Sequence, residues 1–328
     1  MSDNTETETQ SPTGSHQEAT STSPQLSGQV KTSRLNRRLC AVFVGVLVLL
    51  GVAWSASPPI IEEFYWHRVM MPKILSGEGE TSQAANPGST FKECENGCPE
   101  MVVIPGGQFS MGSMDGRKSE KPVHSVILGK PFAVSKFETT VAEWNACVAA
   151  GACEAAESNS SRPSNRPVVN ISWQQANWYA EWMSRITGKP YRLLSESEWE
   201  YAIRAGKTVK ALQDDKSFGT RDGTCNGCGS KWDKRETAPV GSFDANNYGL
   251  HDMRGNVRDM TMDCWNDNYQ GAPANGSVRL DGECDSRAVR GGSWRFWYTN
   301  FRLTRRNKQA INDASDDLGF RLARDLMP

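Results

Sequence analysis

The stretch RPVVNISWQQANWYAEWMSRITGKPYRLLSESEWEYAIRAG, residues 166–206, carries two helix starts in one run. Ser172 with Gln175, and Ser195 with Glu198, have the spacing of capping boxes. In each, the hydroxyl accepts a hydrogen bond from the amide three residues on, and that residue's side chain reaches back. Gly188 is placed to end the first helix in the left-handed conformation. Upstream, Thr140 with Glu143 predicts a third helix over VAEWNACVAA (141–150). Before it, MVVIPGGQFSMGS (101–113) reads as a strand, a Gly-Gly turn and a second strand, and HSVILGKPFAVSKFETT (124–140) as further strand. Beyond Ala205 Gly, Asn and Asp dominate with little periodicity. The expectation is a mixed α/β domain with few helices and much ordered loop, without internal repeats.

The 328 residues carry 37 Lys and Arg against 38 Asp and Glu. No basic excess exists to neutralise phosphates, so nucleic acid is not an expected partner. Four histidines (His16, His67, His124, His251) argue against a His-rich metalloenzyme. Residues 1–38 begin as a Ser/Thr-rich leader with too little apolar surface to fold, and they end in Lys31, Arg34, Arg37 and Arg38. LCAVFVGVLVLLGVAW (39–54), extended to about residue 60, reads as a transmembrane signal anchor. The cations before it and Glu62 and Glu63 after it predict a single-pass inner-membrane protein, with the N-terminus cytoplasmic and the C-terminal domain periplasmic. A cleavable signal peptide with Ala53 and Ser55 before the cut is the competing reading. Residues 61–90 form a linker, and 91–328 the folded domain.

Apart from Cys40 in the anchor, eight cysteines fall into four close pairs: Cys94 and Cys98, Cys147 and Cys153, Cys225 and Cys228, Cys264 and Cys284. An even count in an oxidising compartment points to structural disulfides. CNGC (225–228) resembles half of a zinc ribbon, but no second CxxC completes it. As a catalytic dithiol it has no basic neighbour in sequence to lower a thiol pKa.

From Cys98 onward the sequence resembles the formylglycine-generating enzyme (sulfatase-modifying factor) family. The matching segments are 98–113, KFETTVAEW (136–144), 166–206, APVGSFDANNYGLHDMRGNV (238–257), RGGSW (290–294) and DLGFRLAR (317–324). The resemblance implies a loop-rich, C-type-lectin-like fold, low in regular secondary structure. It also implies oxidation of a substrate cysteine with O₂ at a copper ion held by two cysteines after the GGS motif. Here Ser293 matches the motif serine, but the cysteine positions fall on Phe296 and Phe301, which offer no soft sulfur for Cu(I). Copper is therefore not expected. The family's calcium site maps onto Asp252, Gly255, Val257 and Asp259, two carboxylates and two carbonyls of the hard-oxygen type that Ca²⁺ prefers. A second calcium site of the family finds Thr224 in place of its asparagine and is not expected here. The sequence also resembles exported proteins that mature pyoverdine siderophores and that lack the cysteine pair.

Around the family's active position, Arg290, Ser293, Arg295, Trp297, Tyr298, Arg305 and Arg306 are candidates to line a groove for an extended or anionic ligand. Two functions follow: a divergent oxidoreductase acting on a peptide or siderophore-like substrate, or a non-catalytic lectin-like binding or scaffold module. The occupant of the groove, protein, peptide or small molecule, is not specified by the sequence.

Overall fold

The computed structural model describes residues 86–326, except 96, 157–160, 214–223 and 298–300. The expected leader (1–38), the anchor (39–60), most of the linker and Tyr298 lie outside the described residues. Among the described residues no helix is long and apolar enough to cross a membrane.

All three expected capping boxes close. Thr140 starts α1 (Val141–Ala149), Ser172 starts α2 (Trp173–Thr187) and Ser195 starts α3 (Glu196–Arg204), and both reciprocal bonds are present at each. Gly188 ends α2 at φ 67°. A short α4 (Val209–Gln213) follows, which the sequence did not announce.

Five strands, β1 (Thr90–Phe91), β2 (Met101–Ile104), β5 (Phe132–Ser135), β6 (Tyr191–Leu193) and β11 (Leu322–Asp325), form one sheet in the order β1-β2-β5-β11-β6. All its pairs are antiparallel. MVVI and FAVS are buried throughout because both faces of this sheet are covered. Met101 and Ala133 face a core built on α2, with Tyr179, Met183 and Phe320; Val102, Ile104 and Val134 face a second core built on α3, with Trp199 and Ile203.

The Gly-Gly turn does not make a hairpin of its two flanking strands. β3 (Gly107–Met111) leaves the first sheet and pairs instead with β4 (His124–Leu128) in a separate two-stranded ribbon. The largest departure from the sequence reading lies beyond Ala205. There β7 (Arg258–Trp265), β8 (Glu283–Arg290), β9 (Arg306–Ala310) and β10 (Leu318–Gly319) build a four-stranded sheet in the order β10-β7-β8-β9. β7, RDMTMDCW, alternates polar and apolar residues, yet both faces are enclosed. Its polar face is satisfied by α3: Trp199 Nε1 donates to Asp259 at 2.9 Å, and the Glu196 amide donates to Asp263 at 2.8 Å.

The eight cysteines form four disulfides, Cys94–Cys98, Cys147–Cys153, Cys225–Cys228 and Cys264–Cys284.

Candidate functional site

β8 delivers its last residue, Arg290, into the core beside α3. Arg290 is fully enclosed and donates to Glu196 (2.9 Å), Glu200 (2.6 Å) and the Tyr269 hydroxyl (2.8 Å). Arg306, at the start of β9, donates to both oxygens of Glu196 at 2.5 and 2.8 Å. Burial works to raise the two glutamates' pKa, but the guanidinium charges outweigh it and hold both below the ordinary carboxylate value. These arginines compensate buried carboxylates. They do not line a groove, contrary to the reading of the sequence.

Ser293 is likewise enclosed, and its Oγ donates to Asp317 at 2.8 Å. Asp317 also takes a two-pronged bond from Arg258, at 3.2 and 2.7 Å. Burial pushes Asp317 upward, while Arg258 and the Ser315 and Ser293 hydroxyls hold it low. A carboxylate so stabilised is a weak base, and Ser293 has no reach to solvent; it is a strut, not an exposed groove residue or nucleophile.

The outer layer of the same segment does reach the surface. Arg295 pairs with Asp316 and lies 4.8 Å from the Trp294 ring centroid. Trp297 is 53% exposed, with Lys234 Nζ 5.9 Å from its ring. Phe296, half-buried between them in sequence, has the Arg305 guanidinium 5.0 Å and the Arg258 guanidinium 5.6 Å from its centroid. Phe301 packs against Gly292, where an added Cβ would stand 2.6 Å from the ring. So aromatic carbon fills the places where the family resemblance puts thiolates, and all eight cysteines of the domain are committed to disulfides. The donor set does not fit copper.

The CNGC loop buttresses this segment. The Asn226 amide donates to the Phe296 carbonyl at 2.7 Å, and Asn226 bridges Trp297. Behind it, the Gly255 position is so close to the Thr224 carbonyl that a Cβ would stand 2.5 Å from it. Thr224 and Ser230 hydroxyls and the Gly229 amide all donate to Asp233. Hydroxyl and amide protons thus stand around this carboxylate.

Asp252 and Asp259 come together at a deeper point. Asp252, at φ 61°, accepts the Gly241 amide with Oδ2 at 2.6 Å, and Asp259 Oδ2 accepts from Trp199 and from Arg321 Nε (3.1 Å). Among the described residues, Asp252 Oδ1 and Asp259 Oδ1 are buried without a hydrogen-bond partner. Glu138 joins them, both of its oxygens equally unpartnered and its nearest cation Arg321 at 3.8 Å. Burial, then the charge of Asp252, pushes Glu138 well above the carboxylate range; burial lifts Asp252 to about 6. Asp252 Oδ1 and Asp259 Oδ1 are thus unsatisfied oxygen donors of the hard type that Ca²⁺ prefers. Among the described residues no three His, Cys, Asp or Glu side chains are arranged to hold a metal by themselves.

The sequence reading missed Glu138, Arg321, Asp317, Arg258 and Arg302. Their one visible signal is a charge inside an otherwise strand-like apolar run, as in KFETT and LGFRL. Such charges are rare in a core unless paired.

Comparison with known proteins matches residues 87–326 to the Sulfatase-modifying factor enzyme 1-like domain family. The "Inactive C-alpha-formylglycine-generating enzyme 2" of Mus musculus is 30% identical over 69% of this chain and 85% of its own length. The "Serine/threonine-protein kinase pkn1" of Chlamydia pneumoniae is 29% identical over 69% of this chain. This chain spans 38% of that kinase's length. Among solved structures, PvdO from Pseudomonas aeruginosa superposes with a TM-score of 0.64 at 35% identity, covering 74% of this chain and 99% of that one. The chain belongs to the family of sulfatase-modifying factor enzyme 1-like domains.

Proposed function

We propose that this chain is a copper-free member of its family that works by binding a ligand at the surface formed by Phe296, Trp297 and Arg305. In this reading the domain is held outside the cytoplasm by residues 39–60. The observation that carries it is the exchange of sulfur for carbon: Phe296 and Phe301 stand at the family's thiolate positions, and every domain cysteine is spent in a disulfide. The burial of Ser293 against Asp317 supports the same conclusion, since it removes the nearest nucleophile from reach. Calcium belongs to this proposal as a structural ion. Asp252 and Asp259 would hold it with the Gly255 and Val257 carbonyls, and its charge would compensate carboxylates that Arg321 alone does not balance.

A second reading, a divergent oxidoreductase acting on a peptide or siderophore-like substrate, draws on the 35% identity to PvdO over nearly that protein's whole length. Stoichiometric redox metal of any kind with oxygen uptake favours the oxidoreductase, and the absence of both favours the binding module. The full chain, purified in detergent and offered Cu(I) with a cysteine-containing sulfatase peptide, is expected to bind no stoichiometric copper and form no aldehyde. Stoichiometric copper, or aldehyde on the peptide, overturns the binding reading.

A further inference from the structure

The loop between β3 and β4 and the turn after β7 enclose a cavity of about 450 Å³. Its lining is Met114, Lys118, Lys121 and Pro122 from the loop, with Asn268 and Gln270 from the turn. Ligand sites have volumes of roughly 300–1,000 Å³, so this one is large enough for a small molecule. Both walls are fixed by buried groups. Arg306 Nη1 donates to the Ser119 carbonyl of one wall at 2.8 Å and to the Asn266 carbonyl of the other at 2.9 Å. The Tyr269 amide donates to the Lys121 carbonyl at 2.6 Å, a second tie between the walls. Glu120 is wholly enclosed and accepts from the Thr304 hydroxyl, Arg302 and the Arg117 amide, which anchors the loop between its two lysines. Arg279 grips the turn through the Asn268 (3.1 Å) and Gln270 (2.7 Å) carbonyls. The cavity is therefore preformed.

Its lining carries charge of one sign. No carboxylate is among the lining residues, because Glu120, between the lysines in sequence, is turned inward. Among the described residues neither Lys118 Nζ nor Lys121 Nζ has an ion-pair or hydrogen-bond partner, whereas Lys136 and Lys308 are taken up by Glu100 and Glu283. Asn268 Oδ1 accepts the Gln270 amide at 2.8 Å, which leaves the Asn268 side-chain amide protons for a ligand. The rest of the accessible lining is mostly apolar, and Met114 is 70% exposed. An ammonium group attracts anions as a compact point charge, and apolar surface beside it favours an anion that carries a hydrophobic body.

We infer that the cavity bounded by Met114, Lys118, Lys121, Pro122 and Asn268 is a binding site for a small organic anion, a carboxylate on an alkyl or aryl body. Lys118 and Lys121 hold the carboxylate, the Asn268 amide donates to it, and Met114 and Pro122 cover the apolar part. The site shares no residue with the Phe296 surface, and the inference stands whether or not the copper-free reading holds.

The test is calorimetric titration of the full chain in detergent, with detergent alone subtracted, using 2-naphthoate, the neutral 2-naphthamide and acetate. Naphthoate is expected to bind at sub-millimolar concentration, its affinity falling as sodium chloride rises from ~0.05 to ~0.3 M. Naphthamide keeps the rings and loses the charge, while acetate keeps the charge and loses the rings. Each is expected to bind at least ~tenfold more weakly than naphthoate. The double variant K118Q/K121Q is expected to lose ~tenfold or more in naphthoate affinity. K130Q, the same kind of charge change at the far end of the β3–β4 ribbon, is expected to leave it unchanged. M114E, on an exposed side chain, is a second reporter and should weaken naphthoate by placing a like charge at the cavity. Failure of naphthoate to bind the unaltered chain at millimolar concentration overturns the inference. So do equal affinities for naphthoate and naphthamide, and undiminished naphthoate binding in both K118Q/K121Q and M114E.

Discussion

A carboxylate enclosed in protein has two ways to avoid the cost of a bare charge: keep its proton or find a cation. Asp252 stands between them. Burial lifts its pKa from 3.8 to about 6. The folded chain therefore keeps this proton over a range where the unfolded chain has lost it, so the contribution of Asp252 to calcium-free stability should fall as pH rises from about 4 to 6. Calcium competes with that proton, so the stabilisation it gives should grow over the same range. Asp252→Asn removes the charge that faces Glu138 while leaving an oxygen to accept the Gly241 amide. Its melting temperature without calcium at pH 7.5 is expected to match or exceed that of the unaltered chain, and its gain on adding calcium to shrink. Differential scanning calorimetry with calcium and with chelator reads both quantities. An undiminished calcium shift in the variant would remove Asp252 from the site.

Among elements, the helix starts carry a graded prediction. At α2 the Ser172 hydroxyl accepts the Gln175 amide at 3.3 Å. At α3 the Ser195 hydroxyl accepts the Glu198 amide at 3.1 Å and also donates to the Gly276 carbonyl at 2.8 Å, 81 residues away in an enclosed position. Ser172→Ala should cost about 1 kcal/mol, the usual value of a cap. Ser195→Ala should cost about 1–3 kcal/mol more, because it leaves a buried carbonyl unmet. Chemical denaturation of both variants decides it, and equal losses would mean that the Gly276 contact contributes nothing. The same elements show what the sequence could and could not disclose. Caps are local signals spanning four residues, so α1, α2 and α3 were legible. The β7–β9 sheet was not, because β7 buries aspartates, and their partners on α3 are some 60 residues distant. For the same reason Arg290 and Arg306 looked like groove residues: a lone arginine in a sequence gives no sign of the glutamate that will enclose it. Arg295 and Trp297 were legible as surface, and both side chains do reach solvent.

Taken whole, the disulfides of the domain bear on where the proposed anchor would place it. Four disulfides tie the chain over short spans, and the Cys225–Cys228 loop directly supports Phe296 and Trp297. Such bonds persist only in an oxidising compartment. The four cations ahead of the 39–60 run would deliver the domain to one. Linking residues 20 apart, Cys264–Cys284 fastens β7 to β8 and closes the longest of the four loops, so it restricts the unfolded chain most, by about 3 kcal/mol. Residues 86–328 produced in a reducing bacterial cytoplasm should accumulate with free thiols and aggregate, while the same residues sent across the membrane behind a cleavable leader should be soluble and resist alkylation. Mass spectrometry after iodoacetamide treatment counts the blocked cysteines in each case. A soluble cytoplasmic product with all eight thiols free and an unchanged melting temperature would show that the fold does not need the bonds. The argument from cysteine pairing to an extracytoplasmic domain would then fail.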